Sequence, residues 1–178
     1  MTFHKLLIAN RGEIACRIIK SAHEMGIACV AVYTEADSQS PFVRQADEAI
    51  KLSDTYLNGK EIIEAAMQTG AQAIHPGYGF LSENAKFSRD VLKAGLIWVG
   101  PSSRVITSMG DKLKAKDIAE KAGVPTLPMT TDPKKANTIG YPILIKAAAG
   151  GGGKGMRIVE STKDLKESLL GAQREAMT

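Results

Sequence analysis

The fold follows from the stretch KLLIANRGEIACRIIKSAHEMGIACVAVYT at residues 5–34. Its apolar run at Lys5–Asn10 predicts a strand, and Gly12–Met25 places apolar residues at helical spacing. The residues on that helical face are Ile14, Ile18, Ile19 and Ala22. Gly26 is typical of a helix stop, and the apolar run Ile27–Thr34 predicts a second strand. The stretch is therefore one complete βαβ unit, the building block of a parallel sheet.

The same alternation continues along the chain to residue 121. Further strands are predicted at Ala49–Leu52, Ala71–His75 and Leu96–Val99, and further helices at Phe42–Ala46, Gly59–Thr69, Asn84–Ala94, Ser102–Met109 and Lys112–Lys121. Five short strands separated by helices predict an α/β fold, a doubly wound open parallel sheet. Ligands of such sheets bind at the carboxyl ends of the strands, so we expect functional groups there.

The last segment reads differently. After Pro133 the pattern predicts a helix to Thr138, strands at Ile143–Ala147 and Met156–Val159, and an amphipathic helix at Lys163–Ala176. Two strands and one helix are too little for an independent domain. We therefore expect this segment to belong to a larger domain.

Composition and charge narrow the function classes. The chain has 178 residues, 44% of them hydrophobic, and a formal net charge of +4. It has no apolar run near the ~20 residues of a membrane helix and no signal-peptide pattern, so we expect a cytoplasmic protein without a membrane partner. A trimmed amino terminus would leave the same sequence, so an organellar origin stays open. The basic residues are spread over the predicted helices and aromatic residues make up 5% of the chain, which favours small anionic ligands over nucleic acid. Cys16 and Cys29 lie in apolar stretches without metal or redox spacing, which predicts reduced core residues.

A glycine-rich loop at residues 150–155 is the first candidate for chemistry. Consecutive glycines can bring backbone N–H groups close to an anion without interference from a Cβ atom, at the cost of disorder when the ligand is absent. The loop is not a P-loop, because Lys154 is followed by glycine and a strand rather than by a hydroxyl residue and a helix. A mobile flap over phosphates and a flexible hairpin turn both fit, and the excess of glycine favours the flap.

Two lysines are further candidates for contact with an anion: Lys146, just before the glycine-rich loop, and Lys112, earlier in the chain. Lys146 ends an otherwise apolar strand. If its side chain lies on the inner face of the strand, it needs an anion as a partner. If it lies at the strand end, it can instead extend to solvent. Lys112 begins a helix with Asp111 as its expected N-cap. Taken alone, neither lysine is distinguishable from a surface residue.

The first turn of the sheet does not resemble a dinucleotide site. The residues after the first strand read Ala9-Asn10-Arg11-Gly12-Glu13-Ile14 and lack the G-x-G-x-x-G spacing. In dinucleotide-binding proteins the G-x-G-x-x-G spacing lets a pyrophosphate approach the start of the helix. Because this turn lacks it, the sequence does not predict NAD binding.

Four blocks in this order resemble the motifs of biotin carboxylases. They are Ile8 to Ala15, the ten residues His75-Pro76-Gly77-Tyr78-Gly79-Phe80-Leu81-Ser82-Glu83-Asn84, the tetrapeptide Met109-Gly110-Asp111-Lys112, and Gly150 to Arg157. The match extends over essentially the whole chain. Two departures concern the flap: Ala148-Ala149 stands where the family commonly has Ser-Gly or Gly-Gly, and Lys154 stands where arginine is frequent.

The resemblance implies an ATP-grasp enzyme that uses ATP and bicarbonate to carboxylate biotin on a separate carrier. It implies a Rossmann-like domain at residues 1–110, a helical linker at 111–133 and a partial ATP-grasp lid domain at 134–178. By resemblance, the nucleotide-binding residues are Lys112, Lys146, Gly152, Gly153 and Met156. The two lysines contact the ATP phosphates or the adenine-side pocket, the glycines lie over the phosphates, and Met156 lines the adenine pocket. No catalytic residue and no metal ligand is assigned within these residues, because the family's Mg²⁺ carboxylates and its bicarbonate- and biotin-contacting groups come later in its sequence.

The resemblance also implies partners. Besides ATP and bicarbonate they are a biotin carboxyl carrier, since no Ala-Met-Lys-Met biotinylation motif is present, and the carboxyltransferase components. A homodimer contact is implied on the Gly12–Met25 helix, where Arg17, Lys20 and Glu24 share a face that could equally be solvated. We expect the fragment alone to be inactive. Another ATP-grasp carboxylate-amine ligase or a stand-alone nucleotide-binding module are the alternatives, and the block at His75 to Asn84 favours biotin carboxylase over the other ligases.

Overall fold

The computed structural model describes residues 3–146 and 156–176. The chain divides into two compact units, Met1–Asp111 and Lys112–Thr178. In the first unit the strands are β1 (Lys5–Ile8), β2 (Ala28–Tyr33), β3 (Glu48–Lys51), β4 (Ala73–His75) and β5 (Ile97–Trp98). The helices are α1 (Gly12–Glu24), α2 (Pro41–Gln45), α3 (Gly59–Thr69), α4 (Ala85–Lys93) and α5 (Ser103–Gly110), with a 3₁₀ turn at Glu35–Asp37.

The five strands form one parallel sheet in the order β3-β2-β1-β4-β5. The chain runs outward from β1 through β2 to β3, then crosses to the other side of β1 for β4 and β5. The direction of winding therefore reverses between β1 and β4, and such a reversal opens a crevice at the carboxyl ends of the two strands. The predicted α/β doubly wound parallel sheet is confirmed.

Both faces of the sheet are buried, as is usual for parallel sheets. Leu7 of β1 points into one core, with Ile62 of α3 and Val91 of α4. Its neighbour Ile8 points into the other, with Ile19 of α1. The alternation along a single strand thus supplies two hydrophobic layers, and helices cover both.

Local signals explain where the helices begin and end. The side chain of Asn58 accepts a hydrogen bond from the backbone N–H of Glu61 and caps α3. Gly70 ends that helix with φ +68°, a left-handed conformation that favours glycine. The side chain of Asn84 caps α4, since its Oδ1 accepts a hydrogen bond from the backbone N–H of Phe87 at 3.0 Å.

The second unit contains α6 (Lys112–Lys121), a 3₁₀ helix at Pro133–Thr138, strands β6 (Ile143–Lys146) and β7 (Met156–Val159), and α7 (Leu165–Ala176). The two strands form an antiparallel hairpin, and α7 packs on one of its faces. Val159 and Ala172 are almost fully buried there. The guanidinium end of Arg157 lies over Gly171, where a Cβ would come within 2.7 Å of Cζ.

Several boundaries differ from the sequence predictions. β5 is two residues long instead of four, and α7 begins at Leu165 instead of Lys163. Strand ends lose partners when the neighbouring strand is short, which an apolar run alone does not reveal. The division into residues 1–110, 111–133 and 134–178 stays a prediction; α6, placed in the linker, lies within the second compact unit. No helix in the described ranges has the length and apolarity to cross a bilayer.

Candidate functional site

The hairpin of the second unit brings two of the predicted binding residues together. Lys146 at the end of β6 lies directly opposite Met156 at the start of β7. Opposite residues of an antiparallel pair project from the same face of the sheet. The expected phosphate-contacting lysine and the expected adenine-contacting methionine are therefore neighbours on one surface.

That surface is the face of the hairpin that α7 leaves uncovered. Leu144 and Ile158 form the next pair on it, because side chains alternate between the two faces of a strand. Leu144, Met156 and Ile158 are 47%, 43% and 68% exposed, respectively. We call the four residues Leu144, Lys146, Met156 and Ile158 the hairpin face. It combines an apolar platform with one ammonium group at its end.

The remaining predicted residues are placed as follows. Lys112 is exposed at the first position of α6, in the same unit as the hairpin. Gly152 and Gly153 lie outside the described residues, as does the rest of the glycine-rich loop. The structure thus places Lys146 opposite Met156, and all five nucleotide-binding assignments stay predictions.

In the first unit, the loops after β1 and β4 are joined by a buried asparagine. Asn10 is 2% exposed, and its Nδ2 donates to the carbonyl oxygens of Pro76 at 2.7 Å and Tyr78 at 2.8 Å. Its Oδ1 accepts from the backbone N–H of Arg11 at 2.9 Å. Gly77 is required beside it, since φ is +65° and a Cβ there would lie 2.6 Å from Asn10 Nδ2. The sequence block around residue 77 therefore owes part of its glycine content to packing against this side chain.

His75 ends β4 at the same edge. Its Nδ1 accepts a hydrogen bond from the backbone N–H of Gly77 at 3.0 Å. Burial lowers the pKa of this imidazole, because the charged form is poorly solvated there. These features describe a neutral histidine whose Nδ1 holds the turn after β4.

A second network at the carboxyl edge involves Asp37, whose side chain is 6% exposed. Arg11 donates to both of its oxygens, from Nε to Oδ2 at 2.6 Å and from the guanidinium to Oδ1. The Tyr56 hydroxyl donates to Oδ2 at 2.7 Å. The bond from Arg11 is the main reason that the pKa of Asp37 lies below its usual range, and burial raises the pKa of Tyr56.

The network extends to the loop after β4. The Tyr56 ring lies 5.2 Å from the Phe80 ring, centroid to centroid, and the Arg11 guanidinium carbon lies 5.9 Å from the Tyr56 centroid. Arg11, Asp37, Tyr56 and Phe80 come from the loops after β1, β2, β3 and β4, respectively. We call these four residues the carboxyl-edge network; it holds the loops at this edge in one arrangement.

Sequence reasoning missed three members of these networks, Asn10, Asp37 and Tyr56. Each follows a strand at its carboxyl end, which is the position where functional or structural polar groups are expected. That position was the available signal. Nothing in the spacing of residues 11, 37 and 56 shows that they meet.

The family models divide the chain at nearly the same place as its two units. Residues 2–106 match the model described as biotin carboxylase, N-terminal domain. Residues 111–178 match the model described as carbamoyl-phosphate synthase L chain, ATP binding domain.

Curated relatives are biotin-dependent carboxylases. The chain is 52% identical to the mitochondrial methylcrotonoyl-CoA carboxylase subunit alpha of Arabidopsis thaliana, over 97% of this chain and 25% of the relative. It is 46% identical to the 2-oxoglutarate carboxylase small subunit of Hydrogenobacter thermophilus, over 98% of this chain and 40% of the relative. The chain therefore spans less than half the length of either protein.

Solved structures similar to this chain are also biotin carboxylases. A biotin carboxylase domain dimer of the Hydrogenobacter thermophilus 2-oxoglutarate carboxylase, in complex with MgADP, ADP and bicarbonate, superimposes with a TM-score of 0.91 at 45% identity. That match covers 99% of this chain and 42% of the solved chain. A biotin carboxylase complex with a β,γ-ATP ligand from Campylobacter jejuni also gives 0.91, at 43% identity and the same coverage. Since the biotin carboxylase model matches residues 2–106, more than half of the sequence, the chain belongs to the biotin carboxylase N-terminal domain family.

Proposed function

We propose that this chain is the amino-terminal part of a biotin carboxylase, which uses ATP and bicarbonate to carboxylate biotin held on a carrier protein. The family assignment of the first unit supports this reaction over those of other ATP-grasp ligases. The observation that carries the nucleotide part of the proposal is the pairing of Lys146 with Met156 on the hairpin face.

The chemistry of the hairpin face suits a nucleotide. A purine ring is flat and apolar on its faces, and the exposed platform of Leu144, Met156 and Ile158 offers matching area to bury. The ammonium group of Lys146, at the end of the platform, is suited to a phosphate oxygen. We propose that the hairpin face forms one wall of the ATP site, with adenine on the apolar residues and phosphates toward Lys146.

Lys112, Gly152 and Gly153 complete the proposed nucleotide contacts. Lysine at a helix start and backbone N–H groups of a glycine-rich loop both neutralise phosphate charge, and phosphoryl transfer depends mainly on such positioning and neutralisation. ATP with Mg²⁺ and carrier-bound biotin are the proposed cofactors. Mg²⁺ needs hard oxygen ligands, and we assign none of them to this chain.

The proposed partners are a biotin carboxyl carrier, carboxyltransferase components and a second copy of the chain. The outer face of α1 supports the last of these. Arg17, Lys20 and Glu24 are exposed along it, and Lys20 Nζ lies 4.0 Å from Glu24 Oε1, so the face carries both signs of charge. A cytoplasmic location stays a prediction, since the relatives include mitochondrial proteins.

The nucleotide assignment is tested in the complete carboxylase by Lys146→Gln, which keeps the stem of the side chain and removes the charge. A charge-assisted contact contributes roughly 1.5 to 3 kcal/mol, so kcat/KM for ATP in the bicarbonate-dependent reaction should fall about 10- to 100-fold. The melting temperature should change little, because Lys146 is exposed.

Lys166→Gln is the matched control, since Lys166 is an exposed lysine of α7 in the same unit. Equal kcat/KM values for the two variants at subsaturating ATP would remove Lys146 from the site and leave it a solvated strand-end lysine.

A further inference from the structure

Three different donor side chains converge at the opposite edge of the first sheet. His23 lies in the last turn of α1, Cys29 is the second residue of β2, and Asp47 immediately precedes β3. In a βαβ unit the helix ends where the next strand begins, so the topology brings these positions together at the amino edge. One ligand atom from each residue, an imidazole nitrogen, the thiol sulfur and a carboxylate oxygen, lies within 4.8 Å of the others.

We propose that His23, Cys29 and Asp47 bind a divalent transition-metal ion of the zinc type. Nitrogen, thiolate sulfur and carboxylate oxygen are the three ligand types that Zn²⁺ takes in proteins. A thiolate ligand disfavours Mg²⁺ and Ca²⁺, which prefer oxygen.

The three side chains of the cluster differ in exposure. The Cys29 side chain is fully buried and forms the floor, while the side chains of His23 and Asp47 are 41% and 49% exposed and form the rim. The Cys29 sulfur is not accessible to solvent, so an incoming ion has to move the rim side chains aside to reach it. Three protein ligands leave the fourth tetrahedral position to water.

Backbone hydrogen bonds already orient the Asp47 carboxylate. Asp47 Oδ2 accepts a hydrogen bond from the backbone N–H of Cys29 at 2.7 Å, and the Asp47 N–H donates to the Cys29 carbonyl oxygen at 3.0 Å. This pair of bonds ties the start of β3 to β2. Backbone hydrogen bonds of this kind hold metal-binding carboxylates in place in known sites.

A small movement brings the two rim groups, His23 and Asp47, to the ligand separation of a zinc site. Bond lengths of about 2.0–2.3 Å at the tetrahedral angle place ligand atoms roughly 3.3–3.6 Å apart. His23 Nε2 and Asp47 Oδ2 are 2.8 Å apart, so they would separate by about half an ångström and lose their hydrogen bond to each other. The His23 side chain, 41% exposed, makes that change while Asp47 keeps its hydrogen bond to the Cys29 N–H.

Coordination also changes the protonation of the thiol. Burial raises the pKa of Cys29 to about 11, so without a metal the sulfur carries its proton at neutral pH. Binding releases that proton to solvent and leaves a thiolate on the ion.

The test uses the 178-residue chain freed of metal and titrated with Zn²⁺ against a chromophoric chelator, with Co²⁺ as a spectroscopic substitute. We expect one equivalent of Zn²⁺ and a thiolate-to-cobalt charge-transfer band in the near ultraviolet. His23→Gln, Asp47→Asn and Cys29→Ser should each weaken Zn²⁺ binding at least about tenfold, and Cys29→Ser should remove the band. A large excess of Mg²⁺ should not compete.

Cys16→Ser and His4→Gln are the matched controls, because they alter a cysteine and a histidine of the same unit outside the cluster. Unchanged affinity in His23→Gln, or equal losses in cluster and control variants, overturns the proposal. His23→Gln changes a partly exposed side chain and decides the question if Cys29→Ser fails to fold. An absence of stoichiometric Zn²⁺ binding by the unaltered chain also overturns it.

Discussion

The ion pair between Arg11 and Asp37 predicts an asymmetry between two substitutions that break the same contact. The Asp37 side chain is 6% exposed and that of Arg11 is 48% exposed. Arg11→Gln leaves a carboxylate buried without its cation, whereas Asp37→Asn leaves a guanidinium that is already half in water. The first change should therefore destabilise the first unit more than the second.

The magnitudes follow from these exposures. Removing one partner of a buried pair costs about 3–5 kcal/mol when the other charge stays buried, and Asp37 keeps the Tyr56 hydroxyl, so we expect about 3 kcal/mol for Arg11→Gln. A half-solvated guanidinium recovers most of its lost interaction from water, so we expect about 1 kcal/mol for Asp37→Asn. The difference of about 2 kcal/mol corresponds to roughly 8 °C in melting temperature for a unit of this size.

The assay is fluorescence of Trp98, the single tryptophan of the chain. It is 8% exposed and its ring lies edge-on to Phe87 at 5.6 Å, so its emission reports the packing of the first unit alone. The double variant should be more stable than Arg11→Gln, since it no longer buries a charge. Equal losses for the two single variants, or a double variant less stable than both, would refute the reasoning.

Three further predictions concern the same unit and the same readout. Because the pKa of Asp37 is lower in the folded state, its contribution to stability is complete above about pH 5, starts to fall near the usual pKa of 3.8 and is lost as the pH falls through the lower pKa of the folded state. Stability should therefore fall less steeply with acid in Asp37→Asn, and equal acid profiles would contradict this. Gly77→Ala should destabilise more than Gly79→Ala, since both have positive φ (+65° and +66°) but only at Gly77 would a Cβ meet a neighbour, at 2.6 Å; chemical denaturation with equal midpoints would count against it. Val91→Ala should cost about 2 kcal/mol and Leu92→Ala under about 0.5 kcal/mol, because Val91 is fully buried and Leu92 is 54% exposed; similar losses would show that α4 faces the core differently.

The fold was largely predictable because its signals are local. Apolar runs identified the five parallel strands, and α3 begins and ends where its glycines predict. The pairing of β1 with β4 was not predictable in this way, since the paired residues, such as Leu6 and Ala73, are 67 positions apart and apolar runs do not encode a neighbour. Short strands such as β5 depend on that pairing for their length, so their ends could not be read from the sequence.

The candidate site likewise has a part that was predicted from the sequence and a part that was not. Lys146 and Met156 were predicted through a resemblance, and their direct opposition follows from the register of the hairpin. The carboxyl-edge network escaped prediction because Arg11, Asp37 and Tyr56 are individually ordinary. Only the three-dimensional approach of four loops turns them into one structure.

The β6–β7 hairpin has a consequence for handling the protein. Within the described ranges each of its strands pairs with a single neighbour, so each has an outer edge whose backbone donors and acceptors are available to another strand. Exposed edges of this kind are templates for intermolecular strand addition. The apolar side chains of the hairpin face beside them add hydrophobic surface that a second molecule can bury. Self-association of concentrated samples should therefore begin at residues 143–146 and 156–159, and a charged residue in place of Leu144 would serve as a gatekeeper against it.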